Sequence, residues 1–162
     1  MLLDALARLN TEENTYTLIL VCREAEWKTF ESPWKTAPWL EVHHVSGAEL
    51  EPLYARAAVS VIPVRPTPYT HFAVNVKLFD YLGHGLPVVV TNARAISAIV
   101  RDNSIGFVVP YDADAMARAL QSVMDDQEKR RELENHCVEA LNNGNLWIHR
   151  VRRVVSDLEE KQ

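Results

Sequence analysis

No apolar run in this sequence approaches the ~18 residues a membrane-spanning helix needs, so nothing in it reads as an integral membrane segment. Cysteine is almost missing. Cys22 and Cys137 stand far apart, which argues against a disulfide framework and against a metal site, and fits a reducing cytosol. Positive charge is outnumbered: 17 Lys and Arg against 22 Asp and Glu leave a net charge of −5, which speaks against wholesale binding to nucleic acid. The opening MLLDALARL carries Asp4 and lacks both a basic start and a cleavage site, so it is not expected to be a signal peptide. Repeats and low-complexity segments are absent too. What remains is a chain of 162 residues, long enough for one α/β domain with a real core.

The richest stretch runs from Phe72 to Asn92, FAVNVKLFDYLGHGLPVVVTN. Val74, Leu78 and Leu82 recur at helical spacing and predict a helix from about Val74 to His84 with one buried stripe. Lys77, Asp80, Tyr81 and His84 share the opposite face. Gly83 and Gly85 let the chain leave the helix, and Pro87 prevents its continuation. Val88, Val89 and Val90 then form the continuous apolar run of a parallel strand covered on both sides. VSVIPV, from Val59 to Val64, is the preceding strand, and the loop 65–73 joins it to the helix. In such a fold a ligand sits where a loop leaves the carboxyl end of its strand, and free amides at the following helix start attract an anion.

The rest of the chain alternates in the same way. A helix is predicted at the start, with Leu2, Leu6 and Leu9 on one face. A helix ahead of the first strand is unusual for a βα repeat, and the expectation is that the chain begins inside a larger protein. TLILVC, from Thr17 to Cys22, reads as a buried strand ending at Arg23, and a short helix and loop carry Trp27, Phe30 and Trp34. WLEVHHV, from Trp39 to Val45, alternates as a strand, and Ser46 with Glu49 forms a capping-box pattern before a helix to about Ala57. Further on come a short helix around Ile96 to Val100, the strand GFVVP (106–110), and a helix capped by Asp112. A helix through Leu133, Cys137 and Leu141 is broken at Asn142, Asn143 and Gly144. A last helix, 145–160, has Trp147, Val151, Val154 and Leu158 as its stripe. The predicted fold class is α/β: a Rossmann-like parallel sheet of up to five strands flanked by helices, as one domain over 1–162.

Most polar residues have an ordinary reading beside a functional one. Asp80 and Lys77 fit a solvated helix face, and His84 near a helix end favours the dipole. His43 and His44 are adjacent on a strand, so they point to opposite faces; one is expected to be a core histidine, and together they do not chelate one metal. His71, with Tyr69 and Thr70, occupies the loop before the helix, the best histidine position for touching a ligand. Trp27, Trp34 and Trp39 read as packing. His149, Arg150, Arg152 and Arg153 make a small basic patch. It is read first as a solvated face and second as a peripheral contact with anionic lipid.

LYARAAVSVIPV followed by VKLFDYLGHGLPVVVTNARAISAIVRDNSIGFVVPYDADAMARAL resembles the carboxyl-terminal half of family 4 retaining glycosyltransferases, which have the two-domain GT-B architecture. The resemblance runs from about Thr17 to Trp147. It implies a domain that binds a nucleotide-sugar, without a metal or other cofactor, and passes the sugar to a glycan or lipid-linked acceptor held by a separate amino-terminal GT-B domain. Asp80 stands where the family holds the donor ribose with a glutamate, and a carboxylate suits a vicinal diol. Val74, Asn75 and Val76 match the amides that bind the donor diphosphate, and Lys77 adds a charge beside them. Phe72 departs from the family's first glutamate near the donor sugar, where His71 also lies. The base is expected near Arg23 and near Val45 and Ser46.

The family's first strand, its glycine turn and its Arg…Lys clamp have no counterpart ahead of Met1, so the resemblance implies a fragment that is inactive alone. A cytoplasmic protein, at most peripheral to the inner face of a membrane, is the accompanying expectation. Two other readings compete. A receiver-like signalling module needs acidic strand ends, whereas the strand ends here carry Arg23, Arg65 and Thr91. Half of a sugar-nucleotide epimerase needs a pair of acid/base carboxylates, and none is placed for that role.

Overall fold

Short β-branched runs and longer amphipathic runs alternate along the chain, and they fold accordingly. The computed structural model describes residues 1–11, 15–145 and 155–156. In order, the elements are α1 (Leu2–Leu9), β1 (Leu18–Val21), α2 (Glu24–Thr29), β2 (Leu40–His43), a 3-10 turn (Gly47–Leu50), α3 (Glu51–Arg56), β3 (Ser60–Ile62), α4 (Lys77–Gly83), β4 (Val88–Thr91), α5 (Arg94–Asp102), β5 (Gly106–Val109), α6 (Ala113–Met124) and α7 (Gln127–Ala140). A π-helical turn, Leu141–Asn145, follows where Asn142, Asn143 and Gly144 were expected to break the helix. The predicted last helix, with Trp147, Val151, Val154 and Leu158, and the basic patch of His149, Arg150, Arg152 and Arg153, lie outside the described residues.

All strand pairs are parallel. β4 lies between β3 and β5, with Val89 opposite Val61 and Phe107. Among the described residues β1 pairs only with β2, Leu18 opposite Leu40. The expected five-strand sheet is therefore divided into a three-stranded and a two-stranded sheet. The valine run behaves as its pattern predicts. Val88 and Val90 pack with Ile62, Leu78, Leu82, Ile96 and Val100, while Val89 packs on the other side with Ala5, Leu6, Met116 and Leu120. The three valines are wholly buried, and each such side chain contributes about 1.5–3 kcal/mol. The buried hydroxyls are partnered: Ser60 donates to the Pro87 carbonyl at 3.0 Å and Thr91 to that of Val64.

Several expectations need correction. β1 is not a buried strand: its residues are half-buried and Val21 is exposed, because a strand with one neighbour leaves its other edge uncovered. Neither strand histidine is a core residue. His43 is half-buried with its Nε2 2.6 Å from Glu41, and exposed His44 bonds the Cys22 carbonyl at 2.8 Å. The Ser46 hydroxyl makes no capping bond. Asp112 does cap α6, accepting the Ala115 amide at 2.9 Å. The central helix begins at Lys77, not Val74, because Asn75 accepts the Lys77 amide through Oδ1 at 3.0 Å and closes the first turn there.

Candidate functional site

The chain leaving β3 enters a loop, 63–76, in which Pro63, Pro66 and Pro68 remove amide donors and prevent both helix and strand. Two threonines fold it. Thr70 Oγ1 accepts the Thr67 amide at 2.7 Å and donates to the Arg65 carbonyl at 2.9 Å, while Thr67 Oγ1 accepts the Thr70 amide at 3.2 Å. Two more bonds fasten the loop to its neighbours. Thr91 of β4 donates to the Val64 carbonyl. At the start of α5, the Arg94 amide donates to His71 Nδ1 and the Ala95 amide to the His71 carbonyl, both at 3.1 Å. With Nδ1 accepting, a neutral His71 carries its proton on Nε2.

The far side of this loop forms a crevice of about 310 Å³ lined by Val64, Tyr69, Thr70, Ala73, Val74, Asn75, Val76 and Ile96. The size is at the small end for a ligand pocket. Among the described residues the amides of Val74, Asn75 and Val76 make no hydrogen bond. The three residues that carry these amides line the crevice, and unengaged amides are what an anion needs. Tyr69 and Phe72 meet edge to face at 5.3 Å on the rim and are 67% and 71% exposed.

The other predicted residues are distributed more widely. Lys77 does not line this crevice; it lines a groove beside β1 with Tyr54 and Tyr81. Asp80 lies on α4 with its carboxylate exposed, and its charge adds to burial in raising the pKa of Tyr54 and Tyr81. The Asp80 carbonyl accepts His84 Nδ1 at 2.8 Å, while His84 Nε2 lies 3.1 Å from Glu51 and the ring stacks on Tyr54 at 4.0 Å. Burial lowers the His84 pKa, but these two acceptors outweigh it and the net shift is upward. Arg23 stands just ahead of α2 without a capping bond from its side chain and is exposed, 3.8 Å from Glu26. Val45 and Ser46 follow β2, half-buried and exposed respectively. The loop residues therefore form one group, while Arg23, Val45 and Ser46 stand at the carboxyl ends of the two strands in the other sheet.

Residues 1–126 match the family model for the group 1 glycosyl transferases. The chain belongs to that family. No curated protein matches it. For a group 1 glycosyltransferase the match takes in every site residue above and stops just before α7. The family is one of sugar transfer between a nucleotide-sugar and an acceptor, and the parallel α/β fold agrees with half of a GT-B transferase. No helix among the described residues is long and apolar enough to cross a membrane.

Sequence reasoning placed Thr70 in the loop and Thr91 at a strand end without their hydrogen bonds, and it missed Thr67 and the capping role of Asn75 in this glycosyltransferase. Asn75, two residues ahead of the helix, was legible as an Asx cap. The bonds of Thr67, Thr70 and Thr91 required the folded loop to be seen.

Proposed function

We propose that the chain is the donor half of a retaining family 4 glycosyltransferase, with the nucleotide-sugar diphosphate seated on the Val74–Val76 amides and the ribose on Asp80. The observation that carries the reading is the crevice lined by three residues whose amides are unengaged, with an exposed carboxylate one helical turn beyond Val76. Amides neutralise the leaving diphosphate without a proton being moved, and a carboxylate accepts from both hydroxyls of a vicinal diol. The reading assigns no metal to the site. Lys77, one residue beyond these amides, adds a charge from the neighbouring groove, and Arg23, Val45 and Ser46 border the base. The acceptor, glycan or lipid-linked, comes from a separate amino-terminal domain, and the isolated chain binds donor without transferring sugar.

Titration with UDP-, GDP- and ADP-glucose, followed by amide NMR, tests this. Shifts centred on Val74 to Lys77 are expected with one of the three. Asp80→Asn should weaken that donor by about tenfold or more, the worth of a hydrogen bond to a charged group, with the unfolding midpoint unchanged. Absence of shifts at millimolar donor would overturn the assignment.

A further inference from the structure

The rim of the crevice holds the most exposed large apolar side chains among the described residues. Phe72, Val76 and Tyr69 are 71, 69 and 67% exposed, and Val138, at 52%, comes next. Single apolar residues scattered over a surface need no explanation, but a cluster of them beside a cavity marks a binding surface. Tyr69 and Val76 line the crevice, and Phe72 joins them through its edge-to-face contact with Tyr69.

The backbone holds this pair in place. The Tyr69 carbonyl accepts the amides of both Phe72, at 3.2 Å, and Ala73, at 3.1 Å, and the His71 amide donates to Thr67 at 3.0 Å. His71, between the two rings in sequence, is tied to the start of α5. The rings therefore stand in water at set positions and do not fold back onto the core. Their exposure is unfavourable in the free protein, and a ligand that covers them recovers that free energy.

The size and the border of the patch decide what covers it. An aromatic side chain offers about 150–250 Å² in all, so three side chains fall short of the about 800 Å² a side that a stable protein interface needs. The border is polar. The Tyr69 hydroxyl, His71 Nε2 and the Asn75 side-chain nitrogen make no hydrogen bond among the described residues. A pyranose ring has the matching shape: an apolar C–H face that lies on an electron-rich ring, and hydroxyls around its edge that meet a few placed polar groups. Sugar transfer brings two such rings together, the donor's and the acceptor's.

We propose that Tyr69 and Phe72 form a stacking platform for a hexopyranose taken by its C–H face, with the Tyr69 hydroxyl and the Asn75 side-chain nitrogen bonding its hydroxyls. The inference rests on the two rings and the sugar chemistry of the family, and it does not use the diphosphate seat.

The test follows the Tyr69 and Phe72 ring signals of the 162-residue chain by carbon-13 NMR. In one arm maltotriose is added alone. In the other, UDP, GDP and ADP are each compared with their glucose conjugates. Both rings are expected to shift, with maltotriose if the platform takes the acceptor, or with a glucose conjugate and not its bare nucleotide if it takes the donor sugar. Phe72→Ala should weaken that binding by about fivefold or more, the worth of one aromatic contact, while Phe72→Tyr keeps it. Unmoved rings in both arms would overturn the proposal, and so would an affinity unchanged in Phe72→Ala. Ring signals that broaden as protein concentration rises would overturn it as well, by placing a second copy on the patch. Shifts at the Val74 to Val76 amides with still rings would remove the platform and keep the donor seat; moving rings with still amides would do the reverse.

Discussion

Among the described residues the His84 ring meets two acceptors and no donor: the Asp80 carbonyl on one nitrogen and the Glu51 carboxylate on the other. Only the imidazolium satisfies both, which is why its pKa lies above the ordinary 6.5 despite burial against Tyr54. A raised folded-state pKa gives stability that is fully present below about 6.5 and is lost as pH rises through the folded value. His84→Ala should therefore cost more at pH 5.5 than at pH 8.5, by about 0.5 kcal/mol for a partly exposed pair. Urea midpoints of both proteins at the two pH values check this, and a pH-independent difference would leave only the ring stack as the contribution. Asp80 is the contrasting case on the same helix. Its carbonyl is engaged and its carboxylate is exposed, so substitution there should alter binding and leave folding alone.

Elements are joined at a few points whose failure is measurable. β4 and β5 are paired at Gly106, opposite Val88, where an added Cβ would lie 1.8 Å from the Val88 carbonyl oxygen, at a φ of +157°. Gly106→Ala should cost about 3 kcal/mol, at the upper end for overpacking, seen as a fall in the urea midpoint. β2 and α3 are joined by a two-pronged contact in which Arg56 donates to both Glu41 oxygens, at 2.8 and 2.6 Å. Arg56, and after it His43, pull the Glu41 pKa down from 4.5 to about 2. Such a depressed value gives stability present above about 4.5 and lost as pH falls toward 2. In Arg56→Gln the Glu41 carboxyl should titrate nearer its ordinary range, followed by carboxyl carbon NMR. α6 depends on Asp112, and Asp112→Ala should cost about 1 kcal/mol by chemical denaturation.

At the scale of the molecule the two cysteines report on different bodies. Cys22 lies just past the end of β1, half-exposed, with burial raising its pKa; Cys137 is sealed in the core over the three-stranded sheet and pushed up to about 12. A neutral thiol reagent should modify Cys22 in the native protein, while Cys137 should react only at the global unfolding rate, as mass spectrometry over a urea series would show. The sequence revealed the three-stranded body most clearly. A run of three valines has one good solution, a strand covered on both faces, and the structure adopts it. LILV in β1 carries the same signature, but a run cannot declare whether its neighbour is present, so its half-exposed state was not legible. The helix start was misjudged because Val74 continues the apolar stripe while the Asn75 side chain, through a local bond, terminates it. The candidate loop was legible as a position and not as a shape, since threonines 21 residues apart fix it from both sides of α4. That fixing has a further outcome. Held by Thr67, Thr70, Thr91 and His71 before anything arrives, the crevice wall has little freedom left to surrender. An incoming anion would sacrifice mainly its own motion, and tightness of capture would follow from fit instead of from a folding loop.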